Sequence, residues 1–107
     1  MRISSIKLLG YQIRIHSVRD LQENKTDPCM GYFLPDKAEI YIDKSLSPQQ
    51  RLSVLLHECL EAIFEYSTNE KVPYRHDVIE IMEQGLFSLL TENPSLLRLF
   101  LKKEKQK

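Results

Sequence analysis

The stretch VLLHECLEAIF, from Val54 to Phe64, constrains this chain more than any other. At about 100° per residue, Leu52, Leu55, Leu56, Cys59, Leu60, Ile63 and Phe64 cover a wide arc of a helical wheel. His57 and Glu61, one turn apart, stand one above the other on the opposite side, and Glu58 lies about 100° round from His57. The segment reads as a buried helix with one polar face, and the rest of the chain as its scaffold. A histidine and a carboxylate at i, i+4, with a second carboxylate directly after the histidine, is the layout of a helical metal site with a built-in base. The more familiar form is H-E-x-x-H; here the second histidine is replaced, giving H-E-x-x-E.

The flanking segments supply that scaffold. Residues 1–9 open as a strand and Gly10 permits a bend. Tyr11, Ile13 and Ile15 alternate with Gln12, Arg14 and His16, the period of a half-buried strand, with His16 on its surface side. Residues 18–28 read as a loop with one helical turn near 19–22. Residues 29–34 and 38–43 are two further strands joined by Pro35, Asp36 and Lys37. In the second of these, Ala38, Ile40 and Ile42 face the core while Glu39, Tyr41 and Asp43 face out. Ser47-Pro48-Gln49-Gln50 then starts the central helix, with serine as cap, proline at the first helical position and Gln50 closing a capping box. This helix is expected over 48–66. A second begins near His76 and Asp77, with Val78, Ile79, Met82, Leu86, Leu89 and Leu90 as its apolar stripe. Asn93 and Pro94 restart the pattern as a short third helix to about residue 103, followed by a lysine-rich tail.

The expected fold is therefore α+β: a small antiparallel sheet of about three strands packed on a central helix, with a second long helix and a short C-terminal one. One domain spans residues 1–107, mainly β over 1–46 and mainly helical over 47–104. Fifteen basic and fifteen acidic residues cancel, which removes any general attraction to nucleic acid or anionic membrane. No apolar run approaches the roughly 20 residues that span a bilayer, and the first residues lack the apolar core of a signal peptide. Cys29 and Cys59 show no C-x-x-C spacing, and Cys59 falls on the apolar arc. Reduced thiols and a cytoplasmic setting follow as expectations.

A metal site on this helix needs a third protein ligand and an open position for water. Solvated glutamates are common on amphipathic helices, and Glu65 continues this polar face, but His57 and Glu61 sit in mid-helix behind three apolar residues. Candidates for the third ligand are His76, Asp77, Glu80 and Glu83, on the helix that packs back across the first. With His76 the set is two imidazoles and one carboxylate, the inventory of a hydrolytic zinc site. With Glu80 or Glu83 it becomes one imidazole and two carboxylates, which neutralises the cation and leaves bound water less acidic. Charge favours His76, with Glu83 as the alternative. A third possibility is an iron or manganese site built from Glu58, Glu61 and Glu83, although the paired Glu-x-x-His motifs of helical bundles are missing.

The run Ile40-Tyr41-Ile42-Asp43, the Ser-Pro-Gln-Gln helix start, Leu55-Leu56-His57-Glu58 and Glu61-Ala62-Ile63 together resemble the zincin-type metallopeptidase-like proteins. The resemblance is greatest to small ones of phages and prophages, distantly similar to the ImmA/IrrE group. Their pattern is matched by His57-Glu58-Cys59-Leu60-Glu61-Ala62, by His76 with Ile79, by Gly85-Leu86 and by Glu92-Asn93, over roughly residues 38–94. The resemblance implies a sheet packed on the active-site helix, a zinc ion held by His57, Glu61 and His76, and Glu58 as general base. It also implies that an extended peptide lies along an edge strand over 38–43. The leading expectation is a zinc-dependent hydrolase, most simply a metallopeptidase acting on a peptide or protein. The alternative is a catalytically inactive phage accessory protein that binds a partner protein. In either case the setting is the cytoplasm, that of the host cell if the chain is phage-borne.

Overall fold

The computed structural model describes residues 3–21, 29–67 and 71–101. The lysine-rich tail and most of the loop expected over 18–28 lie outside these residues. Four strands form one sheet: β1 (Ser5–Leu8), β2 (Tyr11–Val18), β3 (Gly31–Leu34) and β4 (Glu39–Asp43). Three helices follow: α1 (Pro48–Ser67), α2 (Arg75–Glu92) and α3 (Pro94–Leu101). The class is α+β, as the sequence predicts. No helix among the described residues is long and apolar enough to cross a membrane.

The sheet is mixed rather than antiparallel, with strand order β1-β2-β4-β3. β1 and β2 form a hairpin whose two-residue loop, Leu9 and Gly10, has positive φ at both positions (52° and 85°), the geometry that matches the twist of the flanking strands. β3 and β4 form a second antiparallel pair, but β4 lies parallel to β2, Arg14 opposite Glu39 and Ile15 opposite Ile40. The reason lies in chain length. About twenty residues separate β2 from β4, enough for the crossover that a parallel pair requires. β4 also carries Ile40 and Ile42, both fully buried, which belong at the centre of a sheet rather than at its margin. The expectation that residues 38–43 form an edge is thereby corrected: β4 is paired on both sides, and the outer strands are β1 and β3.

Alternation places Ile13, Ile15, Ile40 and Ile42 on one face, where they pack against Leu55 and Ala62 of α1. On the other face Glu39 is nearly covered. Its carboxylate accepts from Arg14 Nη2 at 2.7 Å and from the Tyr41 hydroxyl at 3.2 Å. His16, expected at the surface, is half-buried there, stacked on Tyr41 with ring centroids 4.6 Å apart and Nε2 3.4 Å from Glu39. Two inward-facing rows cannot account for this cluster; it arises because parallel pairing sets β2 and β4 side by side.

Helix α1 begins as the sequence predicts. The Gln50 amide donates to Ser47 Oγ and the Ser47 amide donates to Gln50 Oε1, each at 3.1 Å, a closed capping box. α1 then runs between the sheet and α2. The apolar stripe expected on α2 is only partly used: Ile79 is fully buried, whereas Met82, Leu89 and Leu90 stay exposed. Asn93 does not cap α3 with its side chain; its Nδ2 donates back to the Leu89 carbonyl at 2.9 Å.

Two predictions follow from this scaffold. Ser47→Ala removes one half of the capping box and should cost about 1 kcal/mol in denaturant unfolding. Burial pushes the Glu39 carboxyl up, but the Tyr41 hydroxyl, the Arg14 charge and His16 outweigh it and hold the group below its ordinary value of 4.5. The native state then binds fewer protons than the unfolded chain. The stabilisation is full above the ordinary value and is lost as pH falls through the lowered one. Glu39→Gln should flatten that acid limb in melting temperatures recorded between neutral and acid pH.

Candidate metal centre

Packing on two sides of α1 leaves a polar seam. Measured round the helix from Glu58, residues Leu55, Cys59 and Ala62 turn one way, to the sheet, while Glu61, His57 and Ser53 turn the other, to α2. Glu58 therefore lies on the sheet side and is only 7% exposed, more deeply placed than the wheel suggests. It stands beside β3 at Gly31. A Cβ on Gly31 would lie 3.8 Å from Glu58 Oε2, 2.6 Å from Val54 Cγ1 and 2.8 Å from the Tyr41 carbonyl oxygen. The strand can pass this close to the helix only because residue 31 has no side chain.

His57 is held from α2. Its Nδ1 lies 2.9 Å from Glu83 Oε1, and Ser53 Oγ donates to Glu83 Oε2 at 2.5 Å. Glu61 is held from the first residue of α2: Arg75 Nη2 donates to Glu61 Oε1 at 3.0 Å and to the Glu61 carbonyl at 3.1 Å. The atoms these contacts leave over face one another, His57 Nε2 and Glu61 Oε2 being 3.8 Å apart. His76 stands at the start of α2 with its ring centroid 6.0 Å from that of His57 and its Nε2 3.1 Å from Glu80 Oε2.

One ligand atom from each of His57, Glu61 and His76 lies within 4.8 Å of the others, so this His-Glu-His cluster could hold a metal ion. Around a tetrahedral ion with bonds of about 2.0–2.1 Å, donor atoms stand roughly 3.3–3.5 Å apart. Closing the cluster takes movements on the order of 1 Å. Asp77, Glu80 and Glu83 are not part of the group, and neither is Glu58, so the carboxylate-rich set of Glu58, Glu61 and Glu83 is not assembled among the described residues. The ligand set that charge favours is the one the fold gathers.

Two clefts, of about 490 and 440 Å³, meet at this cluster and share Gly31, His57 and Glu58 as walls. One continues between α1 and α2 past Ser53 and Glu83; the other opens along β3 past Tyr32 and Phe33 to Arg75 and His76. Cys59 takes no part. Burial, and then the Glu58 charge, pushes its thiol up to about 11, so it carries almost no thiolate at neutral pH.

Three contributors were not identified from the sequence. Ser53 stands one turn before His57, a signal that was available. Arg75 offered only its place beside His76. Gly31, a glycine within a strand, marks a close backbone approach whose partner cannot be read from sequence. No protein-family model, no curated protein and no solved structure matches this chain.

The tight passage at Gly31 is testable. Gly31→Ala places a methyl group against the Tyr41 backbone, which cannot move aside as a side-chain end could. It should cost about 1–3 kcal/mol in denaturant unfolding, the usual result of overpacking.

Proposed function

We propose that the chain is a zinc-dependent hydrolase, most simply a peptidase, with His57, Glu61 and His76 as ligands and Glu58 as general base. The observation that carries the reading is the convergence of two imidazoles and one carboxylate, with a deeply placed second carboxylate on the next residue, at the meeting of two clefts. The donor set suits zinc, and three protein ligands rather than four suit a site that works on water. When bound, zinc would acidify a water molecule and polarise a substrate carbonyl. Glu58, shielded from bulk solvent, would take a proton from the attacking water and hand it to the leaving amine. Arg75 keeps one oxygen of Glu61 engaged and so favours single-oxygen ligation through the other.

The substrate strand belongs on β3 rather than on β4. Among the described residues β3 pairs only with β4, and its other side borders the cleft that contains His57, Glu58 and His76. An extended peptide added to that side would use main-chain hydrogen bonds for affinity and the clefts for side-chain selection. One observation favours the second reading, a protein-binding role without hydrolysis. Ile81 of α2 and Leu99, Phe100 and Leu101 of α3 are exposed apolar side chains of the kind that partner proteins cover.

Three variants test the proposal. His57→Ala and Glu61→Ala should each abolish stoichiometric zinc in protein purified without a metal-affinity tag, and should lower the melting temperature of the zinc-loaded form, since metal stabilises only the folded state. Unchanged zinc content in both would end the metal reading. Glu58→Gln should keep its zinc and lower peptide-library hydrolysis by about 10²–10⁴-fold. Zinc binding in the wild type with no cleavage of any library, and no effect of Glu58→Gln on partner binding, would leave the protein-binding role standing.

A further inference from the structure

We propose that Glu83 and Glu80 are positioning residues that decide which ring nitrogen each histidine presents: Nε2 from His57 and Nδ1 from His76. The inference rests on the metal-binding reading above and extends it to residues outside the ligand set. Both carboxylates come from α2, three residues apart and so on one helix face. Each meets the ring nitrogen of a different histidine, Glu83 at His57 Nδ1 (2.9 Å) and Glu80 at His76 Nε2 (3.1 Å).

An ionised carboxylate can only accept hydrogen bonds, so the nitrogen it faces must carry the proton. A neutral imidazole has one N–H and one lone pair. A proton on His57 Nδ1 therefore leaves the lone pair on Nε2, the atom 3.8 Å from Glu61 Oε2. The same logic puts the lone pair of His76 on Nδ1. Metal-bound histidines generally donate their second ring N–H to a carboxylate or carbonyl in this way, which fixes the tautomer and the ring plane.

The two contacts are unequal. The side chains of His57 and Glu83 are 19% and 21% exposed, and the second oxygen of Glu83 is held by Ser53, so that carboxylate has little freedom to turn away. His76 and Glu80 are 69% and 54% exposed, where water competes for both partners. Glu83 therefore fixes its histidine and Glu80 only biases the other. An interhelix ion pair that merely ties α2 to α1 would also use Glu83, but it would be indifferent to the tautomer of His57.

The test has one arm that needs no metal. Long-range ¹H–¹⁵N correlation spectra of the metal-free protein at about pH 8.5, where an ordinary imidazole is neutral, should show His57 protonated on Nδ1. Glu83→Gln, whose amide can donate or accept, should relax it to a mixture. Zinc affinity measured by chelator competition should fall about 10–100-fold in Glu83→Gln and less than about tenfold in Glu80→Gln. Ser53→Ala, which keeps the His57 contact and frees the other oxygen of Glu83, should fall between wild type and Glu83→Gln, and serves as the readout if Glu83→Gln does not fold. A wild-type His57 protonated on Nε2, or zinc bound equally tightly by wild type, Glu83→Gln and Ser53→Ala, would overturn the inference. Absence of zinc binding in the wild type would sink the metal reading instead, and the tautomer of His57 would still decide the orienting role.

Discussion

The polar seam that carries the candidate site depends on α1 being covered from two directions at once. The sheet packs on the side that carries Leu55, Cys59 and Ala62, and α2 packs on the side that carries Ser53 and His57. A helix with 3.6 residues per turn cannot bury its whole circumference under two partners, so a seam remains between them. Glu58, Glu61 and His57 occupy that seam in angular order from the sheet to α2. Each accordingly has a different neighbour: Glu58 stands beside β3 at Gly31, Glu61 is held by the first residue of α2, and His57 meets the middle of α2. The three chemically distinct environments come from one geometric fact, the angle between the two packing surfaces.

What could be read in the sequence is what depends on short spacings. The capping box at Ser47 and Gln50, the extent of α1 and the i, i+4 pairing of His57 with Glu61 are set within a few residues, and each is present in the fold. The sheet topology was not legible, because a hairpin and a crossover are both compatible with alternating strands; the long segment between β2 and β4 permits either. Glu83 illustrates the same limit inside the site. It lies 26 residues from His57, and sequence spacing could offer it only as a rival ligand. The fold instead places it behind the histidine, on the nitrogen that faces away from Glu61.

Charge is distributed with similar economy. The chain as a whole is neutral, yet Glu58, Glu61, Glu65, Glu80 and Glu83 all border the clefts. Left unpaired, such a cluster would resist folding. Arg75 reaches Glu61 and comes within 3.5 Å of Glu65, while the two histidines and Ser53 engage Glu80 and Glu83. These pairings hold particular oxygens in place and leave others pointing inward. The Glu61 oxygen that Arg75 does not hold is left facing His57 Nε2, within the cluster that could hold a metal ion.

The place of His76 in the cluster depends on a backbone feature that no side-chain pattern reveals. Tyr74 has φ 57° and ψ 32°, a left-handed conformation that is uncommon for a bulky residue and is the last residue before α2 begins. Its ring is 80% exposed, so side-chain packing does little to offset the strain. The compensation comes from its neighbours. The Tyr74 carbonyl accepts from the Val78 amide at 3.0 Å as the first turn closes, and Arg75 immediately after it bonds to both the side chain and the carbonyl of Glu61. The turn therefore delivers two consecutive residues to α1: Arg75 to anchor the Glu61 carboxylate, and His76 to complete the cluster with His57. The same bend serves both the joint between the helices and the geometry of the cluster, so the strained backbone sits at the candidate site.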